Sequence, residues 1–432
     1  MKKIDIKAIL SEQLLRKSGV VLILRVLGMT FSFIAVLFIS NFYGAEVYGR
    51  YSLSITLLQF LVLIFSLGLN TSVVKLTSDV NFFKNEKPLN RYLFNSIILL
   101  LFFTLLSGFL LYFFKDEIAI IIFNDLKLIS YFNYLSLFIV FSAFHIFLSE
   151  YIRGRGKFIH YGVFMYILPN LLLIAFLIYG KYHNYSEDFI ILSYLLSLAI
   201  LSIILVYFLP KLKTIMIKNS YAYKSLLSLS IPMMFSATFI FITNWTDIFM
   251  LGAMVTKAEV GIYNAAYKLA ILSLVVIHAV NTVLAPKISQ LYSENNIDQI
   301  KNEVQKATKI ITYITIPVVL VLIIFRKHLL LLFGEEFVNG ERVLLIVSVG
   351  LLINALSGSI GIIMNMTKHQ KELRTFTFIG AVINVFLNYI LIKKFGINGA
   401  AIASLISSIL LNSLCIWYIK KHLGFYTFLK IN

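Results

Sequence analysis

Long apolar runs recur along almost the whole of this 432-residue chain and constrain its fold more than any other feature. A bilayer core about 30 Å thick requires roughly 20 mainly apolar residues per transmembrane helix. The runs are too long and alternate too little to be the strands of a membrane barrel. Twelve spans are predicted, at residues 19–40, 51–74, 92–114, 128–149, 159–179, 189–209, 226–252, 260–286, 309–325, 343–364, 376–392 and 399–419. The sequence therefore predicts an all-α integral membrane protein.

The distribution of charge supports this prediction. Only 13% of the residues are charged and 59% are hydrophobic, whereas soluble domains carry about 25% charged residues. With both termini in the cytoplasm, most of the 38 Lys and Arg residues fall in cytoplasmic segments, as the positive-inside rule requires. Because these residues form no single basic patch, the net charge of +18 does not indicate a nucleic-acid partner.

The spans divide into two bundles of six helices. The predicted parts are a cytoplasmic tail (1–18), a first bundle (19–209), a cytoplasmic linker (210–225), a second bundle (226–419) and a cytoplasmic C-terminal tail (420–432). The connecting segments are too short for an ATPase or other catalytic domain, and Walker A, HExxH and GxSxG motifs are absent. The lone Cys415 has no Cys/His cluster around it, so no metal site is predicted. We expect no catalytic residues and no bound cofactor.

The two halves repeat one plan. An offset of 212 residues pairs Gly49 with Gly261 and Tyr51 with Tyr263, and the register continues through a whole span. An offset that contains six helices preserves chain direction. The sequence therefore predicts parallel repeats about an axis along the membrane normal.

The second and eighth spans each carry a polar stripe at corresponding positions. The stripe residues are Ser52, Thr56, Gln59, Ser66 and Asn70 on the second span, and Asn264, Lys268, His278 and Thr282 on the eighth. A polar stripe that faces lipid is costly, so we expect the two stripes to meet each other or water between the halves, where repeat transporters bind substrate. Ordinary hydrogen bonding between helices is the alternative for the small residues.

Three ionisable residues within spans are further candidates. Asp247 and Lys268 are predicted at similar depth on neighbouring helices, so they could form an ion pair. In a water-filled cavity, Lys268 could instead bind an anion and Asp247 a proton or Na⁺. Arg25 either snorkels to the cytoplasmic headgroups or offers a bidentate contact to a pyrophosphate. Arg25, Lys268, His278 and Asn264 are the predicted substrate-binding residues.

Several loose motifs occur in a specific order along the chain. They are FYGAEVYGRY (42–51), LGL (67–69), SIP (230–232), DIFMLG (247–252), VGIYNAA (260–266), APKIS (285–289) and FGINGAAIA (395–403). Together they resemble the polysaccharide transporter family of the multidrug/oligosaccharidyl-lipid/polysaccharide (MOP) exporter superfamily, which includes O-antigen and capsule-unit flippases. The resemblance covers the chain essentially from end to end.

The resemblance implies a twelve-helix, two-bundle fold that opens alternately to either side, with helices one, two, seven and eight around a cationic cavity. It implies transfer of an undecaprenyl-pyrophosphate-linked oligosaccharide to the outer leaflet of the bacterial plasma membrane. Membrane lipid, a polysaccharide polymerase and a chain-length regulator are the other partners expected, and H⁺ or Na⁺ coupling remains open. The alternatives are a cation-coupled multidrug exporter of the same superfamily and a membrane-bound polysaccharide polymerase or assembly protein.

Overall fold

The computed structural model describes residues 6–78, 86–209 and 223–428, and all regular structure in these ranges is helical. The α-helices are α1 (Ile6–Phe65), α2 (Leu69–Ser78), α3 (Glu86–Glu117), α4 (Leu128–Gly154), α5 (Phe158–Gly162), α6 (Leu168–Tyr182), α7 (Phe189–Val206), α8 (Tyr223–Met254), α9 (Lys257–Ala270), α10 (Leu274–Ser293), α11 (Ile297–Ile324), α12 (Arg326–Leu331), α13 (Glu341–Ser357), α14 (Ile360–Met366) and α15 (Gln370–Leu423). Short π-helical turns cover Ile118–Ile122 and Val163–Ile167, and 3₁₀ turns cover Ile271–Ser273 and Glu335–Gly340.

Ten helical stretches in the described ranges are long and apolar enough to cross a membrane. Two of them are broken at a glycine with positive φ, namely Gly44 (φ 83°) in α1 and Gly396 (φ 56°) in α15. Only glycine adopts this region at little cost, and each break lies between two predicted spans. Dividing the two stretches there gives the predicted twelve, so the all-α multi-pass fold is confirmed.

The chain forms two compact units. The C-terminal unit contains residues 242–428 together with Gly44–Gly49, and the N-terminal unit contains Val20–Tyr43 and residues 50–241. The predicted domain boundaries remain predictions. The start of the predicted tail 1–18, most of the linker 210–225 and the end of the tail 420–432 lie outside the described residues.

The N-terminal unit has α4 at its centre. This helix packs against α2, α3 and α7 and buries Tyr131, Phe132 and Phe147. An ion cluster in this unit is centred on the guanidinium of Arg50, which is 4% exposed and lies 2.7 Å from the Asp125 carboxylate. Glu187, at 3.6 Å from Arg50, also pairs with Lys127.

A break within the second predicted span separates α1 from α2. Leu67 and Gly68 both have positive φ, 51° and 74°. The prediction of one continuous helix over 51–74 is therefore wrong at this point. A Cβ at Gly68 would overlap the carbonyl oxygen of Ser230, so the backbone of α8 approaches too closely for any larger residue.

The C-terminal unit is built around α15, which packs against α13 and α14. Its apolar core includes Ile288, Ile300, Ile363, Met364, Cys415 and Ile419. Gly358 (φ 77°) separates α13 from α14, and the carbonyl of Ser357 there accepts a hydrogen bond from Thr427 Oγ1 at 2.7 Å. The chain beyond α15 thus satisfies a backbone group left open by the break.

The repeat appears directly in a reciprocal contact inside the C-terminal unit. A Cβ at Gly49 would overlap the carbonyl oxygen of Lys257, and one at Gly261 would overlap that of Ala45. Lys257 and Gly261 lie 212 residues after Ala45 and Gly49, which is the offset found in the sequence. The two helix starts therefore cross as local two-fold equivalents through a glycine pair, and this contact agrees with the predicted parallel repeat.

Candidate functional site

The candidate site is centred on Asp247, near the end of α8. Its carboxylate is only 6% exposed in a helix that is otherwise largely apolar. A buried carboxylate loses its hydration and must be compensated by hydrogen-bond donors or by a cation. The partners of Asp247 therefore determine what the site can do.

Three neutral side chains donate hydrogen bonds to this carboxylate. Tyr263 Oη donates to Oδ2 at 2.6 Å, Asn388 Nδ2 to Oδ1 at 2.7 Å, and Ser404 Oγ to Oδ2 at 2.5 Å. Both carboxylate oxygens are thus bonded, and the side chains that bond them in the described part of the chain are all neutral.

The break at Gly396 is what places two of these donors together. Asn384 Nδ2 donates to Ser404 Oγ at 3.2 Å, although 20 residues of straight helix would separate them by about 30 Å. The chain therefore reverses between them, so the two halves of α15 face each other across the site. Asn388 Nδ2 also donates to Asn384 Oδ1 at 3.0 Å, which closes a network around Asp247.

The oxygen atoms around Asp247 could bind a proton or a small hard cation. A carboxylate, two hydroxyl oxygens and amide oxygens are the ligand types that alkali and alkaline-earth ions prefer. Asn388 Oδ1 is buried and has no hydrogen-bond partner in the described structure, so its lone pairs are available to a ligand. No group of three His, Cys, Asp or Glu side chains that could hold a metal ion occurs among the described residues.

The described hydrogen bonds of Asp247 do not include Lys268, with which the sequence predicted an ion pair. On α9, Tyr263 and Lys268 are five residues apart, which turns their side chains about 140° from each other. Because Tyr263 faces Asp247, the partly buried Lys268 faces elsewhere. The roles assigned to Lys268 and Asp247 in binding substrate or ion stay predictions.

The other predicted substrate residues lie at varied depths. Arg25 is exposed on α1, Asn264 is partly buried on α9, and His278 is exposed on α10. Thr282 Oγ1 donates back to the His278 carbonyl at 2.8 Å. The role of these residues in binding substrate stays a prediction.

The polar stripe on the second span lies in the N-terminal unit. Ser52, Thr56 and Ser66 are buried, whereas Gln59 and Asn70 are partly buried. Thr56 Oγ1 donates to the Ser52 carbonyl at 2.8 Å, and Asn70 Nδ2 donates to Ser66 Oγ at 3.2 Å. These are the local hydrogen bonds expected of small polar residues in membrane helices. The expectation that this stripe faces the stripe of the eighth span, or water, stays a prediction.

Sequence reasoning found Asp247 but missed its donors. Asn384 and Asn388 are four residues apart and therefore share one face of a predicted span, which is an unusual pattern in an apolar helix. That spacing was an available signal. Tyr263 and Ser404 gave no comparable signal, because single Tyr and Ser residues are common in membrane helices.

This architecture matches solved transporter structures. The chain superimposes on a lipid II flippase, MurJ, in an inward closed conformation with a TM-score of 0.76 and 18% identity, covering 94% of this chain and 87% of MurJ. It superimposes on a MATE-family multidrug resistance transporter in an inward-facing conformation with a TM-score of 0.78 and 14% identity, covering 94% and 98% of the two chains. The fold is therefore that of the MOP superfamily.

The sequence comparison identifies the family within that fold. Residues 39–341 match the family described as polysaccharide biosynthesis protein. Because the match spans more than half of the chain, this protein belongs to that family.

Two curated relatives share parts of the sequence. The probable low-salt glycan biosynthesis flippase Agl15 of Haloferax volcanii is 28% identical over 165 residues, which cover 38% of this chain and 35% of Agl15. The capsular polysaccharide biosynthesis protein CapF of Staphylococcus aureus is 26% identical over 257 residues, covering 57% and 63%. The aligned part thus spans about a third of the first relative and less than two thirds of the second.

Proposed function

We propose that this protein is a flippase for lipid-linked oligosaccharides. Its substrate is an undecaprenyl-pyrophosphate-linked repeat unit of the O-antigen or capsule type, moved from the cytoplasmic to the outer leaflet of the bacterial plasma membrane with both termini in the cytoplasm. The observation that carries this proposal is the family match over residues 39–341, which runs through parts of both repeats. It is supported by the fold shared with a lipid II flippase.

The chemistry of the substrate suits the residues present in the spans. A pyrophosphate needs positive charge, and α1 and α9 supply it through Arg25 and Lys268. A guanidinium can bind phosphate oxygens in a bidentate manner, whereas a lysine ammonium acts as a point charge. The polar stripes offer hydrogen bonds to sugars, and the polyprenyl tail can stay in lipid. Transfer by alternating access then needs no covalent intermediate.

The site around Asp247 is proposed to couple this movement to a gradient of H⁺ or Na⁺. Its three donors can reorient so that Tyr263 and Ser404 present oxygen lone pairs to a cation. Binding of a cation would replace hydrogen bonds that link α8, α9 and both halves of α15. The cation can therefore bias the packing of these helices, which a gradient-driven transport cycle requires.

A deletion in the native host tests the proposed function. With the downstream polymerase intact, we expect surface glycan to be lost and repeat units to accumulate on the cytoplasmic leaflet. Surface glycan and the leaflet distribution of the lipid-linked unit are measured together, and plasmid-borne wild type is the control. Normal glycan with normal distribution, in a strain without a redundant flippase, would overturn the proposal. Drug hypersensitivity in that strain would favour the multidrug-exporter alternative.

A matched pair of variants tests the anion contact of Lys268. At equal protein level, Lys268→Ala should reduce glycan export at least tenfold, whereas Lys268→Arg should retain a substantial part of it because the positive charge remains. Equal export by the two variants would show that the positive charge of Lys268 does not bind the substrate.

A further inference from the structure

A cavity inside the C-terminal unit extends away from Asp247. It has a volume of about 370 Å³ and lies among α8, α9, α10, α13, α14 and α15. Its polar lining includes Asp247, Asn354, Ser404, Ser407, Ser408 and Asn412. Asp247, Ser404 and Asn384, which also lines the cavity, belong to the hydrogen-bond network already described. Asn354, Ser408 and Asn412 do not, so that network leaves part of the polar lining unexplained.

The second half of α15 gives the direction of this cavity. Ser404, Ser408 and Asn412 recur every four residues and therefore lie on one face of the helix. The lining continues to Cys415, and the eleven residues from Ser404 to Cys415 span about 16 Å. The cavity thus runs lengthwise through roughly half of a bilayer core about 30 Å thick.

Asn412 indicates what fills this space. Its side chain is 5% exposed, and Nδ2 has no hydrogen-bond partner within the described structure. A buried amide donor without an acceptor is unfavourable, and a water molecule is the usual acceptor in a polar cavity of sufficient size. One water takes roughly 30 Å³ in the liquid, so the cavity has room for several that are also bonded by Ser404 and Ser408.

The far end of the cavity is bounded by apolar residues. Ile360, Leu373 and Cys415 line it there, and Ile360 and Cys415 belong to the apolar core cluster of this unit. Next to them lies the break at Gly358 between α13 and α14, where the regular hydrogen bonding of the helix is interrupted. A short helix beside a glycine break is an element that can shift without rebuilding the unit.

We propose that this cavity is a water-filled compartment that conducts a monovalent cation, H⁺ or Na⁺, between Asp247 and the cytoplasmic side through Ser408 and Asn412. The cation path then lies inside one bundle and is separate from the path of the oligosaccharide. The inference rests on the ion coupling proposed above. Ser408 and Asn412 act by holding water, and Asp247 is the group that binds the cation.

Cysteine labelling tests the presence of water directly. Cys415 is the chain's one cysteine, so Cys415→Ala provides a cysteine-free background. In that background, Ser408→Cys faces the cavity. Ser413→Cys is the matched control, because it lies on the exposed side of the same helix within the predicted span 399–419 and therefore faces lipid instead of water. The reactive thiolate forms only in contact with water. In inside-out vesicles, a small cationic methanethiosulfonate should modify Ser408→Cys at least tenfold faster than Ser413→Cys. Equal or slower modification of Ser408→Cys would overturn the compartment.

Transport in proteoliposomes tests the cation path. Asn412→Leu fills the cavity with an apolar group and should abolish stimulation of glycan transport by a cation gradient, while Asn412→Ser should retain it. Stimulation by a Na⁺ gradient at fixed pH identifies Na⁺, and stimulation by a pH gradient without Na⁺ identifies H⁺. Full stimulation of Asn412→Leu by either gradient would overturn the path.

The two proposals fail in different ways. Labelling needs no glycan, so rapid modification of Ser408→Cys in a protein that moves no lipid-linked oligosaccharide would reject the flippase function and leave the compartment in place. Thermal unfolding of purified Asn412→Leu within a few degrees of wild type shows that a loss of transport does not come from misfolding.

Discussion

At the residue scale, Asp247 shows how a membrane helix tolerates a buried carboxylate. Within the described residues, its carboxylate is hydrogen-bonded by a tyrosine, an asparagine and a serine, which are all neutral. Neutral donors stabilise the carboxylate without neutralising its charge, whereas a lysine partner would neutralise it.

This arrangement predicts the outcome of a double substitution. Asp247→Asn should reduce glycan export at least tenfold, and Asp247→Asn/Lys268→Gln should not recover it, because Lys268 does not bond Asp247. Surface glycan at matched protein abundance is the measurement, with Ser413→Ala as the control in the same unit. Recovery in the double variant would instead mean that the two charges balance each other.

The ion cluster of Arg50, Asp125, Glu187 and Lys127 in the N-terminal unit allows a second prediction at this scale. Removing one partner of a buried ion pair costs roughly 3 to 5 kcal/mol, whereas exposed pairs contribute about 0 to 1 kcal/mol. Asp125→Asn leaves the guanidinium of Arg50 buried without its closest carboxylate. It should therefore lower the Tm of the purified protein by several degrees.

Lys127→Gln is the matched control for that change. Lys127 is 60% exposed, and the ion pair that its ammonium forms among the described residues is with the partly exposed Glu187, so its substitution should leave the Tm nearly unchanged. A similar loss in both variants would show that the cluster acts as one unit and that burial does not separate the two pairs.

At the scale of elements, glycines decide where the long helices break or cross. Gly44 breaks α1 and Gly396 reverses α15, while Gly49 and Gly261 let two helix starts meet at backbone distance. The first two lie between predicted spans, so the sequence indicated them. The break at Leu67 and Gly68 was not predicted, because glycine is common within membrane helices and a single one does not distinguish a break from a continuous span.

The glycine crossing predicts that Gly261→Ala destabilises the protein. The added methyl would overlap the Ala45 carbonyl oxygen, and overpacking of this kind costs about 1 to 3 kcal/mol or more. Gly380→Ala is the control, because its Cβ would lie 3.7 Å from Leu411 Cβ, an ordinary contact. Thermal unfolding in detergent should show a lower Tm for Gly261→Ala only. Equal Tm values would mean that the crossing can separate at little cost.

At the scale of the whole molecule, the positive-inside pattern predicts the orientation in the membrane. In the Cys415→Ala background, Glu335→Cys lies in a predicted outer connection and Asn302→Cys in a predicted cytoplasmic one, and both residues are exposed. An impermeant maleimide added to intact cells should label Glu335→Cys and not Asn302→Cys. Labelling should reverse in inside-out vesicles, and the opposite result would invert the proposed topology.

The fold is shared with proteins only 14% to 18% identical to this chain, so it depends on pattern more than on individual residues. Twelve apolar spans, the repeat and the charge asymmetry were readable because each follows from the hydrophobic thickness of the bilayer or from a fixed offset along the chain. These features survive extensive substitution.

By itself, the sequence determined the fold class, the number of spans, the repeat and the candidate Asp247, because hydropathy and periodicity are local properties of the chain. Only the tertiary structure decided which groups surround Asp247. Asn388 and Ser404 come from the two halves of a helix that reverses at Gly396, and Tyr263 comes from a third helix. Contacts between residues up to 157 positions apart depend on how helices rotate against one another, and no local pattern specifies that rotation.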